Sequence, residues 1–135
     1  MNISTICIYV GGSLIFLMAL FHTRFYKLFR WNIDFKKINA TNKRVFYTIH
    51  VALYLLFFGF SFLTFFYASQ LSTSKGISLG INVILSLFWL WRTGWQILYF
   101  KPDKKSKFLI MHYILIIVFF LLFLSYTVPI VYRLV

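Results

Sequence analysis

The stretch FLIMHYILIIVFFLLFLSYTVPIVY, residues 108–132, decides the fold class, because it is long, apolar and free of Lys, Arg, Asp and Glu. A helix needs roughly 20 apolar residues to cross a hydrocarbon core of about 30 Å. Three further segments meet this requirement: 3–21, 45–69 and 77–100. None alternates polar and apolar residues as barrel strands do, and helices satisfy their own backbone groups in lipid. The sequence therefore predicts an all-α polytopic membrane protein, with four transmembrane helices in one bundle domain over residues 1–135.

The composition supports a membrane protein over a soluble one. Hydrophobic residues make up 61% of the 135 residues and charged residues only 12%, about half the usual share of a soluble domain. The net charge of +12 comes from basic residues placed between apolar segments, which favours anionic lipid headgroups as partners. Too little soluble surface remains for a nucleic-acid docking face. The single cysteine, Cys7, excludes an internal disulfide and a cysteine metal cage.

The basic residues are distributed unequally between the two sides of the membrane. The loop after the first segment carries Arg24, Lys27, Arg30, Lys36, Lys37, Lys43 and Arg44, and the loop after the third carries Lys101, Lys104, Lys105 and Lys107. Only Lys75 and Arg133 lie on the other side. Because Lys and Arg are enriched in cytoplasmic loops, both basic loops are predicted to be cytoplasmic and both termini non-cytoplasmic.

The first loop, residues 22–44, is predicted to be an amphipathic segment lying in the headgroup layer. Apolar residues alternate with its basic residues: Phe25, Leu28, Phe29, Trp31, Ile33, Phe35 and Ile38. This interleaving is typical of segments that bury one apolar side at the membrane interface. The residues 39–42, Asn-Ala-Thr-Asn, then provide turn and capping residues before the second transmembrane helix.

Arg92 is the one charged residue deep inside a predicted span. It lies roughly 12 Å from the cytoplasmic end of the third helix at the helical rise of about 1.5 Å per residue. Gln96 follows one turn later on the same face, and Trp89, Trp91 and Trp95 surround the pair. A charge at this depth costs a few kcal/mol, so it is expected to face the bundle and serve a function. The alternative is snorkelling towards the headgroups with support from a tryptophan ring.

All three histidines occur near the same membrane boundary, each on a different helix. His22 ends the first helix, His50 follows the start of the second, and His112 follows the start of the fourth. Stripes of small and polar residues at helical spacing are expected to pack inward, and they are Gly12, Ile15, Ala19 and His22 on the first helix, His50, Tyr54, Phe57, Ser61 and Thr64 on the second, and Asn82, Ser86, Trp89, Thr93 and Gln96 on the third. The candidate ligand-binding residues are therefore His22, His50, Tyr54, Trp89, Arg92, Gln96 and His112. We expect His50, Arg92 and His112 to line one cavity that opens towards the cytoplasmic leaflet.

A resemblance is carried by His22, the stretch KLFRW at 27–31, Asn42, His50, and the stretch FWLWR at 88–92 with Gln96 and Tyr99. This pattern resembles an uncharacterised group of small bacterial four-helix integral membrane proteins of unknown function. The resemblance covers the first three helices and the loop between the first two. It implies a multi-pass protein of the bacterial cytoplasmic (inner) membrane, with an organelle inner membrane as the alternative, and it implies no reaction.

Three functions of different classes follow from these residues. The first is binding of an amphipathic, anionic ligand such as a lipid, an isoprenoid or a quinone, with Arg92 at its head and phenylalanines around its tail. The second is a membrane redox or metal protein, with b-type haem or a metal held by His50 and His112, or with His22 as a further ligand. The third is an accessory subunit that docks on membrane proteins or on a second copy of itself. No serine, cysteine or carboxylate is paired with a base at membrane depth. The sequence therefore gives no support for enzymatic activity, and it does not exclude such activity either.

Overall fold

Four long helices form the protein, whose computed structural model describes residues 2–102 and 106–134. They are α1 (Ile3–Thr23), α4 (Ala40–Phe66), α6 (Ile77–Leu98) and α7 (Leu109–Leu134). The short helices α2 (Phe25–Leu28), α3 (Trp31–Asp34) and α5 (Ala68–Thr73) and a 3₁₀ turn (Phe35–Lys37) lie in the connections. Each long helix is apolar and long enough to cross a membrane, and the described residues contain no strand. The prediction of an all-α protein with four helices long and apolar enough to cross a membrane is confirmed; Lys104 and Lys105 of the second basic loop lie outside the described residues.

Two asparagine caps determine where α1 and α4 begin. The Asn2 side chain accepts a hydrogen bond from the backbone N–H of Thr5 at 2.8 Å, and the Asn39 side chain accepts one from the N–H of Asn42 at 2.8 Å. Each cap satisfies one of the backbone donors that the first helical turn leaves free. Helix α4 therefore begins at Ala40, a few residues before the apolar run from which its start was predicted.

The long helices are arranged in the order α4–α1–α7–α6. Helix α1 packs extensively on both α4 and α7, and α7 packs on α6. Helices α4 and α6 are not among these extensively packed pairs, but they meet where the rings of Phe57 and Trp89 stack at a centroid distance of 5.8 Å. The bundle is thus open between α4 and α6 over much of its length.

Two adjacent glycines let α1 approach its neighbours closely. A Cβ atom at Gly12 would lie 3.0 Å from Cγ2 of Thr64, and one at Gly11 would lie 3.1 Å from the Tyr126 ring. The Ser61 hydroxyl donates to the Gly12 carbonyl at 2.9 Å, and the hydroxyls of Thr64 and Tyr126 hydrogen-bond at 3.0 Å. Small residues at such contacts are typical of helix packing in membranes, because close backbones gain van der Waals contact and polar groups find partners.

The end of the bundle that holds α5, the start of α1 and the end of α7 is called here the far end. The Asn82 side chain, which is fully buried, donates to the Leu71 carbonyl at 2.8 Å and to the Ser74 hydroxyl at 3.2 Å. Arg133 donates to the Ser74 carbonyl at 3.1 Å. These bonds satisfy carbonyls left free at the end of α5 and hold the short helix across α6 and α7.

The opposite end, formed by residues 24–39, 99–102 and 106–108, is called here the basic end. The rings of Phe29 and Phe108 lie 5.4 Å apart and join the two connections. Trp31 and Phe35 are buried, with their rings stacked at 4.9 Å, and Trp31 also packs edge-on against His50 of α4 at 4.8 Å. Two of the most apolar side chains of the first loop are therefore buried in protein contacts.

Candidate ligand site

A cavity of about 420 Å³ lies inside the half of the bundle nearest the basic end. We call it the head cavity. Its walls come from α1, α2, α4, α6 and α7, and they include His22, Phe25, Phe57, Trp89, Arg92 and Phe119. Most of its lining is aromatic or aliphatic, and three side chains supply polar atoms: those of His22, Trp89 and Arg92. This combination of apolar walls with a few convergent polar groups is typical of sites for amphipathic small molecules.

Arg92 brings a positive charge to the wall of the head cavity. Its guanidinium carbon lies 4.6 Å from the centroid of the Phe119 ring, a cation–π geometry. The expected aromatic partner was a tryptophan, but the ring that Arg92 covers belongs to α7. Its Nη1 atom is buried and has no hydrogen-bond partner among the described residues. A guanidinium donor in this position is left available for an acceptor such as a carboxylate or phosphate oxygen.

Trp89 provides a second unpartnered donor on the same helix. Its side chain is 1% exposed, and its ring stacks on Phe57 at 5.8 Å and on Phe119 at 5.7 Å. The indole Nε1, which can only donate, is buried without a partner in the described part of the chain. Buried polar atoms are usually hydrogen-bonded, so a free donor at a cavity wall indicates a missing acceptor.

His22 is held at the cavity wall by its own helix and by aromatic rings. Its Nδ1 lies 2.8 Å from the Met18 carbonyl oxygen. Because a carbonyl only accepts, Nδ1 carries the proton, and in a neutral ring Nε2 is then the free acceptor. The ring stacks on Phe25 at 4.3 Å and packs edge-on against Phe57 at 5.0 Å. These contacts fix the orientation of the imidazole.

His50 and Tyr54 lie next to the head cavity but do not line it. The His50 ring stacks on His22 at 5.9 Å and on Phe25 at 5.4 Å, and its edge packs near Tyr54 at 6.0 Å. Both α4 side chains are half-buried. The structure therefore brings His50 to His22, and it places an aromatic layer around the pair.

His112 is part of a separate polar pair with Gln96. The Gln96 amide donates to Nδ1 of His112 at 3.0 Å, and both side chains are buried. Gln96 follows Arg92 by one helical turn, about 5.4 Å, in the direction of the basic end. The expectation that His50 and His112 share the cavity wall with Arg92 is not met, because His22 is the only histidine at that wall.

The histidines are not arranged as a shared metal site. Among the described residues, no group of three His, Cys, Asp or Glu side chains lies close enough to hold an ion. Phenylalanines were predicted around the apolar tail of the ligand, and Phe57 belongs to the predicted inward stripe of the second transmembrane helix; Phe119 was not singled out, although a helical stripe links it to other buried positions. Phe119 shares its stripe with His112 and Tyr126, and Phe57 shares its stripe with Ser61 and Thr64.

Comparison of the chain with protein-family models, with curated proteins and with solved structures finds no match. The resemblance to small bacterial four-helix membrane proteins stays a prediction. The geometry of the head cavity is therefore the basis on which a function is proposed.

Proposed function

We propose that the protein binds an amphipathic, anionic ligand in the head cavity. The observation that carries this proposal is the buried, unpartnered Nη1 of Arg92 at the wall of an otherwise mostly apolar cavity. An unpaired charge inside a membrane protein is costly, and pairing with a ligand anion removes much of that cost. The ligand supplies the acceptor that the described residues do not.

Each polar group has a role in this proposal. Arg92 pairs with the anionic head, and the indole N–H of Trp89 donates a further hydrogen bond to it. Nε2 of a neutral His22 accepts a hydrogen bond from a hydroxyl or a protonated acid on the head. Phe57 and Phe119 contact the start of the apolar tail. A phosphate or carboxylate head fits this donor set better than a quinone, whose carbonyls are uncharged.

The Arg92 side chain is the first to test. With farnesyl phosphate as the probe, Arg92→Ala is expected to weaken binding by about 10- to 100-fold, because a hydrogen bond to a charged group contributes about 1.5–3 kcal/mol. Arg92→Lys is expected to leave binding near the alanine level, since an ammonium cannot present a planar pair of donors. Native mass spectrometry of the purified protein in detergent measures the bound fraction.

Arg44→Ala is the matched control, because Arg44 is an exposed arginine at the same end of the bundle. It is expected to bind farnesyl phosphate as the unaltered protein does, and farnesol is expected to bind weakly to all variants. Equal binding of farnesyl phosphate by Arg92→Ala and Arg44→Ala would contradict the proposal. A haem absorption band that disappears in His50→Ala or His112→Ala would favour the redox alternative. A second protein chain that copurifies with this one in the absence of ligand would favour the alternative in which the protein is an accessory subunit.

We further propose that the basic end faces the cytoplasm and that both termini face the opposite side. The unequal distribution of Lys and Arg between the two ends supports this orientation. The membrane proposed is the bacterial cytoplasmic membrane. Arg24, Lys27, Arg30, Lys36 and Lys37 are all exposed along the first connection, which suits contact with anionic headgroups at that face.

Cysteine labelling tests the orientation. In a Cys7→Ser background, Ser106→Cys at the basic end is expected to resist an impermeant maleimide added to intact cells. Ser72→Cys in α5, at the far end, is expected to react. The physical reason is the excess of basic residues on one side, which are retained in the cytoplasm during insertion. Permeabilised cells, in which both sites react, give the control, and the reverse labelling pattern in intact cells would reject this orientation.

A further inference from the structure

The opening between α4 and α6 continues beyond the head cavity. Two more cavities lie in it: a middle cavity of about 170 Å³ and a distal cavity of about 470 Å³. The middle cavity shares Phe57 and Trp89 with the head cavity. The distal cavity shares Phe60 and Leu85 with the middle one. The three spaces therefore follow one another along the same two helices, with the stacked rings of Phe57 and Trp89 between the head and middle cavities, and together they are called here the groove.

The groove is longer than one leaflet of a bilayer. On α6 its walls run from Arg92 to Ile77, which is about 22 Å at the helical rise of about 1.5 Å per residue. A hydrocarbon core of about 30 Å gives each leaflet about 15 Å. A hydrocarbon chain of about 15 Å that starts at Arg92 would therefore end before Ile77, and a longer chain is needed to fill the groove.

The groove is narrow in the middle and changes in chemistry along its length. The middle cavity is bounded by apolar side chains, among them Ile15, Leu56 and Ile84. Its small volume suits one hydrocarbon chain and not the two chains of a glycerophospholipid. The buried, unpartnered donors are those of Arg92 and Trp89, which line the head cavity, whereas the cation that lines the distal cavity, Lys75, is exposed. A single chain with one anionic head at the basic end matches this distribution.

We propose that the groove between α4 and α6 binds a polyisoprenyl phosphate, with the phosphate at Arg92 and the chain running through the middle cavity into the distal cavity. The proposal rests on the proposed function, because it uses the same head cavity. It adds the ligand class: a phosphate carried by a chain longer than one leaflet. The opening between α4 and α6 gives such a chain a lateral entry from the membrane.

The test compares a long polyprenyl phosphate with farnesyl phosphate, whose chain is no longer than one leaflet. We expect the long compound to displace farnesyl phosphate from the purified protein in detergent with at least about tenfold higher affinity, since its extra length contacts the distal walls. Leu85→Trp places an indole where the middle and distal cavities join. Because Leu85 lies about 10 Å from Arg92, within reach of the farnesyl chain, this change is expected to weaken binding of both phosphates.

Two further variants keep the test decisive. Leu87→Trp, at a position 60% exposed on the same helix, is the matched control and is expected to change neither affinity. Ile81→Trp lines the distal cavity at a partly exposed position about 16 Å from Arg92, beyond the farnesyl chain, so it is expected to remove the advantage of the long compound and to leave binding of farnesyl phosphate unchanged. Equal affinity for both phosphates, unaltered by Ile81→Trp, would overturn the groove proposal while leaving the head cavity intact. Equal binding of farnesyl phosphate by Arg92→Ala and Arg44→Ala would overturn the proposed function as well.

Discussion

Replacing Trp89 with alanine is expected to lower the free energy of unfolding by about 3–5 kcal/mol, the scale found when large buried aromatic side chains are truncated. Trp89 is 1% exposed and stacks between Phe57 of α4 and Phe119 of α7. Lipid offers no hydrophobic driving force between helices, so the loss arises from missing van der Waals contacts and from the space left behind. Thermal unfolding of the purified protein in detergent, monitored by the loss of the helical circular dichroism signal, measures this change in the free energy of unfolding.

Trp91→Ala is the matched control for this prediction. Trp91 lies two residues away on the same helix, but its side chain is 55% exposed, so its truncation is expected to cost much less. Trp89→Phe separates packing from hydrogen bonding. It keeps an aromatic ring in the stack, so the protein is expected to stay folded, while binding of farnesyl phosphate weakens because the indole donor is gone. Equal destabilisation by the two alanine substitutions would contradict the stacked arrangement.

Gly12→Val is expected to destabilise the bundle by about 1–3 kcal/mol, the usual cost of overpacking. Even its Cβ would lie 3.0 Å from Cγ2 and 3.3 Å from Cβ of Thr64, and the γ-methyl groups add further clashes. Helix α1 would have to move away from α4, which also strains the hydrogen bond from Ser61 to the Gly12 carbonyl. The midpoint of thermal unfolding in detergent reports the effect.

Gly59→Val is the control for the glycine prediction, since a Cβ at Gly59 would meet no atom within 4 Å in the described structure. Valine has a modestly higher helix propensity than glycine, so this change is expected to be neutral or slightly stabilising. If Gly59→Val lowered the unfolding midpoint as much as Gly12→Val, the close approach of α1 to α4 would not be the cause.

The four spans were predictable because length and hydrophobicity alone determine them. The residues at which helices begin were less predictable. The polar stretch from Ala40 to Arg44 lies inside α4, because the Asn39 cap starts the helix before the apolar pattern begins. The predicted inward stripe of α6 is confirmed, since its members are all buried: Asn82, Ser86, Trp89, Thr93 and Gln96. On α1 the predicted stripe is confirmed as well: Gly12, Ile15, Ala19 and His22.

The contacts of the candidate site were not predictable from periodicity. A helical stripe shows which side of a helix faces inward. It does not show which neighbouring helix packs against that side, or which residues of the two helices lie at the same level along the bundle axis. Arg92 therefore lies over Phe119 of α7, although three tryptophans lie closer to it in sequence. Gln96 pairs with His112, and His22 takes the place at the cavity wall expected for the other two histidines. These outcomes depend on helix rotation and order, which a single sequence does not encode locally.

The contact of α1 with α7 has a consequence for biogenesis. As the ribosome delivers the chain, the Gly12 side of α1 can pair with Ser61 and Thr64 of α4 while synthesis is still under way. The Gly11 side has no neighbour until Tyr126 enters the membrane with the last helix. In a stalled chain that ends before α7, the Gly11 side of α1 would stay in contact with lipid. Such a half-made chain would lack the packing contacts that Gly11 makes with α7 in the finished bundle.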